Sequence, residues 1–204
     1  MTRALLLAGH GSARNPQTRV PICAMVQALR AQGGFDYVGC ALWKEQPGFF
    51  EAMDRVDADE VIVVPVFMAD GYYVREVLPR EMKLDGAVTT RENGQVIRVT
   101  RPLGEHIKLT NTIVQRAKTA GAEAHDAVVV LGHGTPRNPR SAETARAHAD
   151  RIRASGSFAA VEALFIDQES HVRDVFKRCV ARRIFVVPFF VADGWHVSET
   201  IPED

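Results

Sequence analysis

The stretch Val128-Val129-Val130-Leu131-Gly132-His133-Gly134-Thr135-Pro136-Arg137-Asn138-Pro139 decides the fold. An apolar, β-branched run breaks off in Gly-His-Gly and then in a proline-flanked Arg-Asn. The run reads as a strand buried on both faces, as in a parallel sheet. The glycines let the backbone turn sharply and admit a close neighbour. His133 is thereby presented at the carboxyl end of a buried strand, where open α/β sheets bind their ligands. The same phrase stands earlier as Leu5-Leu6-Leu7-Ala8-Gly9-His10-Gly11-Ser12-Ala13-Arg14-Asn15-Pro16.

Much else repeats with it. His133 and His10, Pro188 and Pro65, and Gly194 and Gly71 are each separated by 123 residues, with no gap needed. An offset held over so long a stretch marks a duplication, and its period is far too large for a solenoid unit. In the first copy, strands are predicted over 4–9, 37–43, 60–68 and 95–100, and helices over 17–32, 47–57, 73–82 and 105–119. In the second, strands over 127–132, 161–166 and 183–191 alternate with helices over 141–154 and 170–181. Ile22, Met25, Val26 and Leu29, then Phe49, Phe50, Met53 and Val56, are the inward positions of the first two helices. Ala142, Ala145, Ala149 and Ile152, then Val172, Val175, Phe176 and Cys179, are those of the second copy. Alternating strands and helices imply parallel βαβ units. The expectation is two tandem, duplicated α/β lobes with small parallel sheets, residues 1–122 and 123–204, and a cleft at the carboxyl strand ends. Nothing after Asp204 matches 95–119, so the second lobe is expected to lack the closing strand and helix or to borrow another element.

Composition narrows the function. Of 204 residues, 46% are apolar and 25% charged, as in ordinary globular proteins. Lys+Arg and Asp+Glu both total 25, which argues against nucleic acid or a membrane surface as partner. No apolar run approaches the length of a membrane span. Cys23, Cys40 and Cys179 are isolated in apolar settings and form no CxxC pair, so they read as buried reduced thiols. A cytoplasmic location is the corresponding expectation.

The residues that can carry chemistry cluster at strand ends. His10 and His133, each between two glycines, can act as bases or metal ligands near neutral pH. His196 follows a later strand of the second copy, and adjacent parallel strands would bring it beside His133. Two imidazoles with open positions suit a first-row divalent metal. Alternatively, Trp195-His196 is an aromatic pair closing its loop. The first copy carries Tyr73 where His196 stands, so only the second has both imidazoles. Glu199, equivalent to Glu76, lies three residues after His196 and either shuttles protons or serves a helix first turn. Arg14 and Arg137 suit carboxylate partners or a loop-fixing role. Asp70-Gly71 and Asp193-Gly194 read as turns. His106, His125, His148 and His171 read as surface residues. Gly9-His10-Gly11 is neither a P-loop nor a dinucleotide fingerprint.

A strand ending in GHGS or GHGT with a following Arg-Asn, then VVPFF-x-A-D-G-x-H-V-x-E-x-I-P after a later strand, resembles the class II tetrapyrrole chelatases. The chain is most similar to the CbiX and SirB sirohydrochlorin chelatases, and Pro102-Leu103-Gly104 with its helix resembles their closing segment. The resemblance covers nearly the whole chain, once per lobe. It implies the chelatase fold, with a flavodoxin-like strand order. It implies insertion of Co²⁺ or Fe²⁺, with Ni²⁺ a further candidate, into a metal-free modified tetrapyrrole of cobalamin or sirohaem synthesis, without an organic cofactor. The metal-binding and catalytic histidines map onto His133 and His196, with Glu199 as the acidic partner. Arg14, Arg137, His10 and Tyr73 are the implied substrate-binding residues. The partner is then a small molecule, and the protein a monomer or homodimer. A tetrapyrrole or metal carrier on the same scaffold is the alternative reading. A phosphoryl- or acyl-transfer enzyme would require a nucleophile or phosphate-cradling glycines that the sequence lacks.

Overall fold

The computed structural model describes residues 1–136 and 138–192. Contacts divide the described chain into two units, Met1–Leu103 with residues 191–192, and Gly104–Phe190. The lobe boundary expected from the sequence lies at 122/123, whereas packing changes over nearly twenty residues earlier.

The first unit holds β1 (Arg3–Gly9), β2 (Tyr37–Leu42), β3 (Glu60–Pro65), β4 (Val88–Thr90) and β5 (Val96–Val99). They form one sheet in the order β2-β1-β3-β5-β4. β1 pairs in parallel with both β2 and β3, and β3 in parallel with β5; only β4 runs antiparallel. Buried from Ala4 to Gly9, β1 is the central strand its unbroken apolar run implies. The order follows the flavodoxin-like pattern, and β1, flanked by β2 and β3, marks the point where the winding reverses. α1 (Val20–Gln32) follows a 3₁₀ turn at Pro16–Arg19, which Asn15 caps by accepting the Gln17 N–H at 3.0 Å. The helix stops at Gly33, whose φ of 76° suits glycine. Its Ile22 and Val26 pack on Leu5, Leu7, Val38 and Leu42. Such side chains contribute roughly 1.5–3 kcal/mol each on burial. On the other face, α2 (Phe49–Asp54) and α3 (Leu78–Met82) bring Phe49, Met53, Leu78 and Met82 against Leu6 and Val63. The residues before α3, Tyr73–Val77, form a π-helical turn.

The second unit repeats the centre of this plan. β6 (Ala127–Gly132), fully buried, lies between β7 (Ala160–Phe165) and β8 (Ile184–Pro188), all parallel. α5 (Arg140–Ala154) covers one face with Ala142, Ala145, Ala149 and Ile152, as the spacing predicts. Pro65 and Pro188 both end their strands, where no ladder hydrogen bond is lost.

Several expectations are corrected. Phe50 and Phe176 are exposed rather than inward, at 47% and 83%. The helix predicted over 170–181 is a 3₁₀ turn, Val172–Asp174, and a single α-turn, α6 (Val175–Arg178). The short polar strand β4 was not expected. Separately from these corrections, α4 (Lys108–Thr119), which falls within the first copy of the sequence, packs against α5 and β8 of the second unit.

The agent of that attachment is His148, which is not a surface residue but fully buried. Its Nε2 lies 2.7 Å from the Gly104 carbonyl oxygen and its Nδ1 2.8 Å from the Thr110 hydroxyl. The carbonyl can only accept, so Nε2 carries the hydrogen and Nδ1 accepts from Thr110. Burial pushes the imidazole below its ordinary pKa. A neutral histidine thus ties α5 to α4 and to the turn before it.

Candidate active site

His10 and His133 leave the carboxyl ends of the two central strands, at the two reversal points, and both are exposed. Their loops are built alike. His10 Nδ1 lies 2.6 Å from the Gly11 carbonyl oxygen, and His133 Nδ1 lies 2.8 Å from that of Gly134. Each carbonyl accepts from the ring, which places the hydrogen on Nδ1 and a lone pair on Nε2. Gly11 and Gly134 have φ of 63° and 70°, a left-handed backbone that glycine adopts without strain. Asn15 and Asn138 accept the N–H two residues on, both at 3.0 Å, and start the following helix. These two asparagine caps fix the start of the segment that follows each histidine loop. The side chain of Arg14 is exposed.

The units differ in what surrounds the imidazoles. In the first, the Tyr73 ring meets His10 edge-on with centroids 4.7 Å apart, and Phe67 stacks on Tyr73 at 5.9 Å. Strand-end loops after β1 and β3 therefore converge, as their adjacency requires. Glu76 is exposed, and Asp70, read as a turn residue, also pairs with Arg75 at 2.5 Å. In the second unit, Asp167 Oδ2 stands 3.3 Å from His133 Nδ1, with the imidazole and carboxylate each about half exposed, at 49% and 50%. Two acceptors, a carbonyl and a carboxylate, thus face one ring nitrogen, an arrangement that orients the ring.

Sequence reading missed Asp167. Its signal is positional: it stands two residues past the end of β7, and its backbone N–H donates to the His133 carbonyl at 3.0 Å. Arg137, His196 and Glu199 lie outside the described residues, as do Asp193, Gly194 and Trp195. The thiols take no visible part: burial raises the pKa of Cys40 and Cys179, and all three cysteines are free. Among the described residues, no three His, Cys, Asp or Glu side chains gather closely enough to hold a metal ion. No described helix is long and apolar enough to cross a membrane.

A family model described as CbiX matches residues 4–120 and again 127–204. A Halobacterium salinarum protein named "probable sirohydrochlorin cobaltochelatase" is 38% identical over 99% of this chain and 76% of its own length. Among solved structures, a multi-domain Deinococcus radiodurans protein with structural similarity to chelatases superposes with a TM-score of 0.86 at 29% identity. The match takes in 99% of this chain but 47% of that one, so this chain spans about half its length. The structure of CbiX, the terminal enzyme for biosynthesis of sirohaem in denitrifying bacteria, matches with a TM-score of 0.69 at 26% identity, over 100% of this chain and 85% of that one.

Proposed function

The chain belongs to the CbiX family, and on that premise we propose that it inserts Co²⁺ or Fe²⁺ into sirohydrochlorin or a related modified tetrapyrrole. The relative at 38% identity favours cobalt. We place the chemistry in the second unit. The observation that carries this is internal: where the repeat is described on both sides, residue 73 comes within 4.7 Å of His10, ring to ring. By the 123-residue offset, His196 stands to His133 as Tyr73 stands to His10.

In this reading His133 holds the metal through Nε2, with His196 as second ligand. Insertion replaces two pyrrole protons by one M²⁺, so two protons must leave the macrocycle. A nitrogen that binds metal cannot accept a proton at the same time. Carboxylates take that part, and Asp167 and Glu199 are the candidates. Arg14 and Arg137 pair with the macrocycle's peripheral carboxylates, and those remote contacts offset the cost of bending it to expose nitrogen lone pairs. His10 and Tyr73 supply a polar and an aromatic surface for the substrate. The working partner is a small molecule, and the proposed setting is the cytoplasm, with the protein a monomer or homodimer.

The test is anaerobic metal insertion into sirohydrochlorin, followed by absorbance, with Co²⁺, Fe²⁺ and Ni²⁺ in parallel. Acceleration above the spontaneous rate, lost in His133→Ala and His196→Ala and largely kept in His10→Ala, is the expected result. Substrate and metal binding without acceleration would sink the enzyme and leave a carrier.

A further inference from the structure

We propose that Gln168 is a positioning residue for His133, holding the loop on which the imidazole stands. The inference rests on the metal role proposed above for His133, but its structural part can be tested without turnover.

Gln168 Oε1 accepts the backbone N–H of Thr135 at 2.9 Å. The same side chain fills the space beside Gly134: a Cβ there would come 2.5 Å from Gln168 Cγ and 2.8 Å from Oε1. The left-handed turn at Gly134 is thus gripped from two sides, by a hydrogen bond after it and by packing against it. That turn aims the Gly134 carbonyl at His133 Nδ1. Backbone bonds from Ile166 and Asp167 to the His133 carbonyl, at 3.2 and 3.0 Å, fasten the loop from the strand side. Asp167 and Gln168 therefore work as neighbours, one on the ring and one on the turn below it.

The first unit supplies an independent copy. Glu45, the repeat equivalent of Gln168, accepts the Ser12 N–H at 2.7 Å. A Cβ on Gly11 would come 3.1 Å from Glu45 Oε1. What the two copies share is an acceptor oxygen at this point. They differ in charge: Glu45 has Arg19 at 3.5 Å, whereas the equivalent of Arg19 is the buried Ala142. The second unit therefore performs the same task with a neutral amide, beside a loop that already carries the Asp167 carboxylate.

The internal copy dictates the controls. Gln168→Ala removes the acceptor and the packing; Gln168→Glu restores the acceptor found in the first unit. The first readout is the His133 imidazole in ¹H–¹⁵N NMR spectra, assigned with His133→Gln and needing neither metal nor substrate. The second is Co²⁺ affinity, and the third the separate kcat and KM for insertion. We expect Gln168→Ala to alter and broaden the His133 signal and to weaken Co²⁺ binding about 10- to 100-fold, with the loss in kcat rather than in KM for the tetrapyrrole. Gln168→Glu should recover the signal and most of the affinity. An unaltered His133 signal in folded Gln168→Ala, or an altered one that Gln168→Glu leaves unrecovered, would overturn the proposal. If wild-type protein accelerates no insertion, the reading of the function falls while the NMR comparison still decides the role of Gln168.

Discussion

In the first unit, Lys44 donates its backbone N–H to the His10 carbonyl at 2.8 Å and lays its ammonium over the Trp43 ring, 5.0 Å from the centroid. In the second, Asp167 makes the same backbone bond to His133 at 3.0 Å and sets a carboxylate 3.3 Å from the imidazole. The backbone is preserved and the chemistry is not. In sequence, Tyr73 against His196, Lys44 against Asp167, and Glu45 against Gln168 all distinguish the two copies. An imidazole held by a carboxylate is a good place for a divalent cation, and the second unit provides that pair.

The comparison can be broken by exchange. Asp167→Lys installs the first unit's residue, and we expect about a hundredfold loss of insertion rate, measured as kcat/KM. The reciprocal Lys44→Asp should leave the rate within about threefold of wild type; an equal loss in both would erase the distinction between the units.

The next effect is on stability. Position 25 in the first unit is Met; its equivalent is the buried His148. His148→Ala should cost about 3 kcal/mol through a cavity and an unpaired Gly104 carbonyl, lowering Tm by roughly 6–12 °C in a chain of this size. Acid sharpens the point. Because burial depresses the folded pKa of His148, its neutral form contributes fully above the unfolded value of about 6.5. That contribution is lost as pH falls through the depressed value, because only the unfolded chain takes up the proton readily. Urea midpoints should therefore fall between pH 7 and 5, and less steeply in His148→Met.

A smaller difference separates the turns. Gly134→Ala and Gly11→Ala both place a Cβ in a left-handed backbone, at about 1–2 kcal/mol. Gly134→Ala should be the worse of the two in thermal melts, since it also displaces Gln168.

Much of this was legible because period and repeat reinforce each other. The runs Leu5–Leu7 and Val128–Leu131 announce central parallel strands, and the constant offset announces two copies. Residues that serve a contact distant in sequence were harder to read. Asp167 gains its meaning only when β7 lies beside β6. α4 resembles a closing helix of the first copy by position, yet it belongs to the second unit, where Thr110 and Ile113 are buried. His148 did leave a sign: with Ala145, Ala149 and Ile152 it completes the inward stripe of α5, and its equivalent is apolar. Polarity hid it, since a buried imidazole needs partners that only the folded chain supplies.

One further pair of positions carries a consequence for the duplicated chain. At the amino edge of the first sheet, Arg3 on β1 meets Glu60 on β3 at 3.1 Å. At the matching place in the second unit, the fully buried Asp126 is gripped by Arg183 through two bonds of 3.0 and 2.7 Å. The acid and the base have traded places, with Asp126 just before β6 and Arg183 just before β8. A newly made chain with two similar central strands has two candidates for each neighbour. β1 beside β8 would set Arg3 against Arg183, and β6 beside β3 would set Asp126 against Glu60. Like charges facing one another disfavour both exchanges. The reversed polarity thus favours each central strand beside its own third strand over the exchanged pairing.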